Sequence, residues 1–167
     1  MSRAFVKEPD GESPDDLPEL PLSPHPNRVT PRGLSQLQQR LDAATQRAKG
    51  AERSSSERAL AERECRWLQN RIASAIVIAS ASQAKDRVSF GASVTLRDEH
   101  DVQQRYRIVG EDEAQPAQGL VSWVSPLAQA LNGARVGDVV TWPRPAGNIE
   151  IEVLHINHDA DAPDDGF

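Results

Sequence analysis

The sequence predicts an α+β protein in which an antiparallel pair of helices precedes a small β-sheet domain. Apolar residues recur every three or four positions between residues 30 and 78, which is typical of helices. From Val88 onwards they alternate with polar residues, which is typical of strands. The chain has 167 residues, of which 38% are hydrophobic and only 4% aromatic, so it is long enough for one ordinary domain or two small ones. Any core must be built mainly from Leu, Ile, Val and Ala.

The first helix is predicted to begin at Thr30-Pro31. A threonine can accept a hydrogen bond from an unpaired amide of the first turn, and a proline at the first helical position sacrifices no helical hydrogen bond. An apolar stripe follows and ends before Gly50, a residue that suits a helix C-terminus. The stripe consists of Leu34, Leu37, Leu41, Ala44 and Ala48.

A second helix is predicted after a short loop. Ser54, with Glu57 three residues later, is a capping-box pattern and marks the beginning of this helix. Because the loop is short, the two apolar stripes must face each other in an antiparallel hairpin, with Ala48 opposite Ala61. The second stripe consists of Ala61, Cys65, Leu68, Ile72 and Ala75.

Residues 85–158 predict a five-strand antiparallel sheet with one short helix. Ser125-Pro126 repeats the helix-start pattern and begins a short helix through Leu131, which Gly133 closes. Turns that contain Gly, Pro or Asp separate the other segments. The predicted strands cover residues 88–96, 103–109, 120–124, 139–142 and 148–157.

Both ends of the chain are predicted to be disordered. Residues 1–29 form an acidic leader rich in Pro, residues 159–167 form an acidic tail, and neither is apolar enough to offset the entropy of ordering. Between them, residues 30–84 carry nine basic and five acidic groups in a chain of net charge −6. Such a basic segment suits contact with an anionic surface, although a solvated pair of charged helices is the simpler explanation.

Known catalytic and metal-binding motifs are absent from the sequence. Cys65 lies on the apolar stripe and is interpreted as a small core residue. Glu111-Asp112-Glu113 is interpreted as a solvated turn, and His155 as a packed or surface residue of the last strand. No apolar run is long enough to cross a bilayer, and no signal-peptide pattern is present. We therefore expect a cytoplasmic binding protein with no membrane contact, no cofactor, no metal and no enzymatic activity of its own.

Five ordered segments between residues 88 and 157 resemble the C-terminal domain of the GreA/GreB transcription elongation factors, and the GreB branch more than the GreA branch. They are Val88-x-Phe90-Gly91-Ala92-x-Val94, Tyr106-Arg107-Ile108-Val109-Gly110-Glu111-Asp112-Glu113, Ser125-Pro126-Leu127-Ala128-x-Ala130-Leu131, Val136-Gly137-Asp138 and Pro145-Ala146-Gly147. Thr30-Pro31-x-Gly33 continues the resemblance more weakly. The resemblance implies an FKBP-like domain that docks on the rim of the secondary channel of RNA polymerase, while the hairpin enters the channel.

The resemblance implies that Ser125, Pro126, Leu127 and Ala128 lie near the polymerase contact. We add Trp123, a bulky residue two positions earlier, and Gln129 on the same helix to the expected polymerase-binding residues. Leu127 is expected to pack inward on its helix, so Ser125, Pro126 and Gln129 are the expected exposed contacts. Trp123 lies in a predicted strand, and it fits a core position and an interface anchor equally well.

The predicted hairpin tip, residues 51–54, departs from the family's pattern. The family has an acidic pair in a stretch that reads Gly-Asp-x-Ser-Glu-Asn, and this pair helps the polymerase hold a second magnesium ion for RNA cleavage. Here Ala51 and Ser54 replace the two acids, Glu52 is the one acid left, and Arg53 beside it would repel a cation. The hairpin is also several turns shorter than the family's. We therefore expect polymerase binding without stimulation of RNA cleavage.

Two alternative functions stay open. Regulators of nucleoside diphosphate kinase share this type of C-terminal domain and a short hairpin. A peptidyl-prolyl isomerase is suggested by the fold alone, which does not confer function, and the low aromatic content argues against an aromatic-lined proline pocket. The expected partner is RNA polymerase, with indirect contact to nascent RNA or DNA inside the elongation complex, and the expected state is a monomer.

Overall fold

The computed structural model describes residues 17–159, which divide into two compact units. Among these residues, the first unit contains residues 17–24 and Gln36–Ser74, and the second contains His25–Ser35 and residues 75–159. The parts of the predicted leader and tail at residues 1–16 and 160–167 lie outside the described residues.

The helical hairpin consists of α1, Pro31–Gly50, and α2, Ser56–Ala73. Thr45 Oγ1 lies 3.8 Å from Cys65 Sγ, and Arg47 donates a hydrogen bond of 2.7 Å to Glu64. These contacts pair the helices antiparallel, within one or two positions of the expected register. The buried residues of the facing stripes are Leu37, Ala44, Ala48, Ala61 and Leu68.

The second helix begins one residue later than the capping pattern predicts. Ser55, not Ser54, caps α2, because its Oγ accepts a hydrogen bond of 3.2 Å from the backbone N–H of Arg58. A turn precedes the helix, in which the N–H of Ser55 donates to the carbonyl of Glu52 at 3.1 Å. This turn includes Ser54, so the helix begins after Ser55. The predicted pairing of Ser54 with Glu57 is therefore wrong by one position.

Residues 17–24 differ from the predicted disordered leader, because they lie along α2. The carbonyl of Pro18 accepts from Arg63 at 3.2 Å, and the carbonyl of Pro21 accepts from Trp67 Nε1 at 3.1 Å. Glu19 forms an ion pair of 2.7 Å with Arg66. A proline has no backbone N–H to donate, but its carbonyl oxygen still accepts hydrogen bonds. In this segment the guanidinium and indole N–H groups of α2 donate to two such carbonyls.

The second unit contains a two-strand parallel pair and a five-strand mixed sheet. In chain order the strands are β1 (Arg28–Val29), β2 (Ile76–Val77), β3 (Ser93–Asp98), β4 (Gln103–Val109), β5 (Leu120–Ser122), β6 (Val139–Trp142) and β7 (Ile149–Asn157). A short helix α3, Pro126–Leu131, follows β5. β1 pairs with β2, and the order in the large sheet is β5-β4-β3-β7-β6. The predicted α+β class is confirmed.

The sheet is mixed, not wholly antiparallel, because β4 and β5 run in the same direction. Between them the chain makes two short 3-10 turns, Glu111–Glu113 and Pro116–Gln118, instead of a tight hairpin. Two turns give the chain room to return to Arg107, beside which β5 starts in the same direction as β4.

The first strand of the large sheet begins at Ser93, five residues later than expected. Gly91 has a φ of +85°, a left-handed conformation that interrupts a strand. Residues 88–92 form a loop instead, in which the N–H of Val88 donates to the carbonyl of Ala134 at 2.7 Å. The loop fixes the position of α3, since Ala134 follows that helix.

The core of the second unit lies between the sheet and α3. Its buried residues are mainly aliphatic, as the composition predicts, and include Val88, Val94, Leu96, Ile108, Val121, Leu127, Leu131, Ile151 and Val153. Across residues 17–159, none of the helices combines the length and the apolar character needed to span a membrane.

Candidate docking site

The beginning of α3 is held by local contacts. Ser125 Oγ accepts a hydrogen bond of 3.3 Å from the N–H of Ala128, and Pro126 occupies the first helical position. This turn buries Leu127 and Ala128, which are 3% and 2% exposed, and leaves Pro126 and Gln129 exposed. Leu127 and Ala128 therefore support the surface from beneath, and the directly accessible residues are Pro126 and Gln129, with Ser125 half-buried.

Trp123 is half-buried at the edge of the core, immediately before this turn. The guanidinium carbon of Arg28 lies 4.5 Å from the centroid of the indole ring, and the ring of His25 meets it edge-on at 6.1 Å. The carbonyl of Trp123 accepts a hydrogen bond of 2.8 Å from Gln129 Nε2. The Trp123 side chain thus packs against the core, and the Trp123 carbonyl is hydrogen-bonded to the exposed residue Gln129 of α3.

A cavity of about 200 Å³ adjoins Trp123 and α3. Ser89 Oγ and Trp123 Nε1 are buried, and neither has a hydrogen-bond partner among the residues that the structure describes. The lining residues include one cation and no acid; they are Arg28, Ser89, Phe90, Ile108, Trp123, Ala128, Gln129 and Asn132. Three of these residues, Trp123, Ala128 and Gln129, are among those that the sequence indicates for docking, whereas the sequence does not single out Arg28, Ser89 or Asn132. No local pattern marks Arg28, because β1 pairs with a strand 48 residues further along the chain.

Glu113 corrects the interpretation of the three acids as a solvated turn. This side chain is buried, and its carboxylate accepts hydrogen bonds from the N–H of Thr30 at 3.1 Å, from the N–H of Gly110 at 3.0 Å, and from the hydroxyl of Thr30. A Cβ on Gly33 would lie 2.2 Å from Glu113 Cδ, so only glycine fits there. Glu113 therefore fixes residues 30–33, close in sequence to Arg28, against the sheet domain.

The four residues of the hairpin tip belong to the first unit, whereas the docking residues belong to the second. Glu52, Arg53 and Ser54 are exposed, and Ala51 is half-buried. Within residues 17–159, no group of three or more His, Cys, Asp or Glu side chains is placed to hold a metal ion. Glu52 is the sole carboxylate of the tip segment.

A second cavity of about 200 Å³ lies beside β4 and β6. The rings of Tyr106 and Trp142 meet edge-to-face at 6.1 Å and line it together with Arg144, whose guanidinium carbon is 5.4 Å from the Trp142 centroid. Burial raises the pKa of the Tyr106 hydroxyl above its ordinary value. Low aromatic content thus does not prevent an aromatic-lined cavity, contrary to the inference from composition.

The family model for the C-terminal domain of the transcription elongation factors GreA and GreB matches residues 83–158. Residues 83–158 are thus similar to the C-terminal domain of the GreA/GreB factors. GreB of Neisseria meningitidis serogroup B is 41% identical to this chain over 98 residues, which are 58% of the chain and 60% of that relative. GreA of Alkalilimnicola ehrlichii is 43% identical over 93 residues, which are 54% of the chain and 59% of that relative. The match thus spans about 60% of the length of these GreA and GreB proteins.

Two solved structures align with most of this chain at low identity. The GreA factor homolog Gfh1 of Thermus thermophilus has 22% identity and a TM-score of 0.40, with 80% of this chain and 99% of Gfh1 covered. A GreA/GreB factor from Nitrosomonas europaea has 18% identity and a TM-score of 0.40, with 78% of this chain and 98% of that factor covered.

Proposed function

We propose that this protein binds bacterial RNA polymerase and regulates transcription elongation, and that it docks at the rim of the polymerase's secondary channel. The observation that carries the proposal is the match of residues 83–158 to the GreA/GreB C-terminal domain. The relatives that align with this chain are named transcription elongation factors, which supports a role in the same process.

The geometry around α3 supports docking through its exposed face. Pro126 stands at a helix start that the Ser125 hydroxyl holds in place, and the Gln129 side chain is tied to the carbonyl of Trp123 at 2.8 Å. Side chains that are already ordered lose little conformational entropy when a partner binds. The exposed residues Pro126 and Gln129 are therefore the central contacts of the proposed interface.

The hairpin tip supports polymerase binding without stimulation of RNA cleavage. A second catalytic magnesium ion needs carboxylate ligands at a defined distance, and Glu52 is the one acid among residues 51–54, with the cation of Arg53 next to it. The helical hairpin is also short compared with the hairpin of the family. The 20 residues of α1 span only about 30 Å at 1.5 Å per residue. On this proposal the protein is not an enzyme and regulates transcription by occupying the channel entrance.

A halted, backtracked elongation complex tests both parts of the proposal. We expect the protein to migrate with the complex on a native gel, and the labelled transcript to keep its length. Pro126→Asp should weaken binding at least about tenfold, because it places a charge in the centre of the interface. Pro116→Asp is the matched control, since Pro116 is an exposed proline at the beginning of another short helix in the same unit.

The possible results separate the two parts. Failure to migrate with the complex, or equal binding by the two variants, would refute the docking proposal. Shortening of the transcript on addition of the protein would refute the argument from the tip residues.

A second candidate function, peptidyl-prolyl isomerisation, is favoured by one observation. The cavity lined by Tyr106 and Trp142 offers two aromatic rings to a proline side chain. A tetrapeptide isomerisation assay decides this candidate: activity that Trp142→Ala abolishes supports it, and the absence of activity in the wild-type protein excludes it.

A further inference from the structure

The cavity beside α3 has the charge of a site for an anionic group. Its lining includes the cation of Arg28 and no carboxylate, while Ser89, Gln129 and Asn132 contribute neutral polar groups. Its volume of about 200 Å³ suits a single side chain. A single residue of a partner protein is therefore the kind of group that fits.

Two residues that line the cavity, Trp123 and Ser89, carry buried hydrogen-bond donors that lack an acceptor among the residues described. The indole N–H of Trp123 can only donate, and it is buried without a partner among the residues described. Ser89 Oγ, also buried and unpartnered within residues 17–159, can donate as well. A buried donor without an acceptor costs free energy, and a bound acceptor recovers that cost. A carboxylate supplies two acceptor oxygens and hydrogen bonds stronger than those of a neutral amide.

Arg28 is positioned to supply the opposite charge. Its guanidinium stacks on the Trp123 ring at 4.5 Å from the centroid, and it forms no ion pair within the described part of the chain. A guanidinium that stacks on an aromatic ring keeps the N–H donors at its edge available. The backbone of Arg28 is fixed by pairing with Ile76 in β2, so the charge stands at a defined place.

We propose that this cavity receives an aspartate or glutamate side chain of the polymerase, held by the guanidinium of Arg28 and by the donors of Trp123 and Ser89. The identity of the partner rests on the proposed function, whereas the carboxylate specificity rests on the cavity alone. Arg28 and Ser89 thereby become specificity-determining residues of the docking surface, beside the exposed face of α3.

A titration without polymerase tests the carboxylate specificity. The full chain has three tryptophans, so an ¹⁵N-labelled sample gives three indole N–H signals, and Trp123→Phe identifies the signal of Trp123. The probe is N-acetylglutamate α-amide, and the control probe is N-acetylglutamine α-amide, which has the same shape without the charge. We expect the Trp123 signal to shift saturably with the carboxylate probe and much less with the amide.

Two arginine variants separate a specific pocket from general attraction. Arg28→Met keeps the length of the side chain and should raise the apparent Kd of the carboxylate probe at least about tenfold. Arg32→Met removes an exposed arginine four residues away and should leave the Kd unchanged. An unshifted Trp123 signal, or the same Kd in Arg28→Met as in the wild type, would overturn the proposal.

Binding to core RNA polymerase then tests the partner. Arg28→Met should weaken this binding about tenfold and reduce its dependence on salt, Ser89→Ala should weaken it a few-fold, and Arg32→Met should not change it. If the wild type binds and Arg28→Met binds equally well, the cavity does not contact the polymerase and the inference fails while the proposed function stands. If the wild type does not bind, the proposed function fails, and the titration still decides whether the cavity takes a carboxylate.

Discussion

Replacing Glu113 with alanine should destabilise the second unit more than any loss of a surface acid. The substitution removes the acceptor of three hydrogen bonds, two from Thr30 and one from the N–H of Gly110. Hydrogen bonds to a charged group contribute about 1.5–3 kcal/mol each and are not additive, so we expect a loss of about 3–5 kcal/mol. That is a large part of the roughly 5–15 kcal/mol by which domains are stable.

Urea unfolding, followed by tryptophan fluorescence, measures this loss as a lower midpoint with an unchanged slope. Glu150→Ala is the matched control, because Glu150 is an exposed acid of β7 and its removal should change stability by no more than about 0.5 kcal/mol. Equal midpoints for the two variants would show that the buried carboxylate contributes nothing net, and would refute the reasoning.

A double-mutant cycle with Gly33 tests the geometry itself. A Cβ at Gly33 would lie 2.2 Å from Glu113 Cδ, so Gly33→Ala should destabilise the wild type. When Glu113 is already alanine the obstructing atoms are gone, and Gly33→Ala should be neutral or stabilising by up to about 1 kcal/mol, as alanine is in a helix. The same cost in both backgrounds would mean that the close approach is not the cause.

Three further predictions concern the helices and the second cavity. The single tyrosine, Tyr106, should titrate above its ordinary pKa because burial disfavours the phenolate, and an ultraviolet absorbance titration of the native protein, with the urea-unfolded chain as reference, checks this. Thr45→Cys should form a disulfide with Cys65 under mild oxidation, since the two side-chain atoms lie 3.8 Å apart; an uncrosslinked product would contradict the helix register. A51D/S54E should still not shorten a backtracked transcript, because the arm remains short; shortening would show that the tip acids alone were limiting.

Three elements with strong local signals, α3, β4 and β6, were predictable to the residue. The helix after Ser125-Pro126 was expected to run to Leu131, and α3 spans Pro126–Leu131. A capping hydroxyl, a proline at the first helical position and a closing glycine all act within a few residues, so the sequence alone carries the information. β4 and β6 have the predicted bounds for a similar reason, because turn residues flank both strands.

Features that depend on distant residues were not predictable in the same way. The parallel pairing of β1 with β2 joins two-residue strands that no alternation pattern can reveal. The burial of Glu113 depends on Thr30, 83 residues earlier in the chain, and an acid in a loop is ordinarily solvated. The candidate site was therefore predictable along α3 but not at Arg28, which reaches the cavity through β1.

The segment around Arg28 contributes both to the cavity beside α3 and to the start of the helical hairpin. It lies before residues 83–158, the range that the family model matches, yet it lines the cavity beside α3. The same few residues lead into α1, and the Thr30 contacts with Glu113 hold them in the second unit. A change that loosens Glu113 should therefore disturb both the start of the hairpin and the position of the Arg28 guanidinium. The proposed docking site is complete only when the chain before the hairpin is folded onto the sheet domain. A domain cut at residue 83 would therefore carry α3 without Arg28, the charge that we assign to carboxylate recognition.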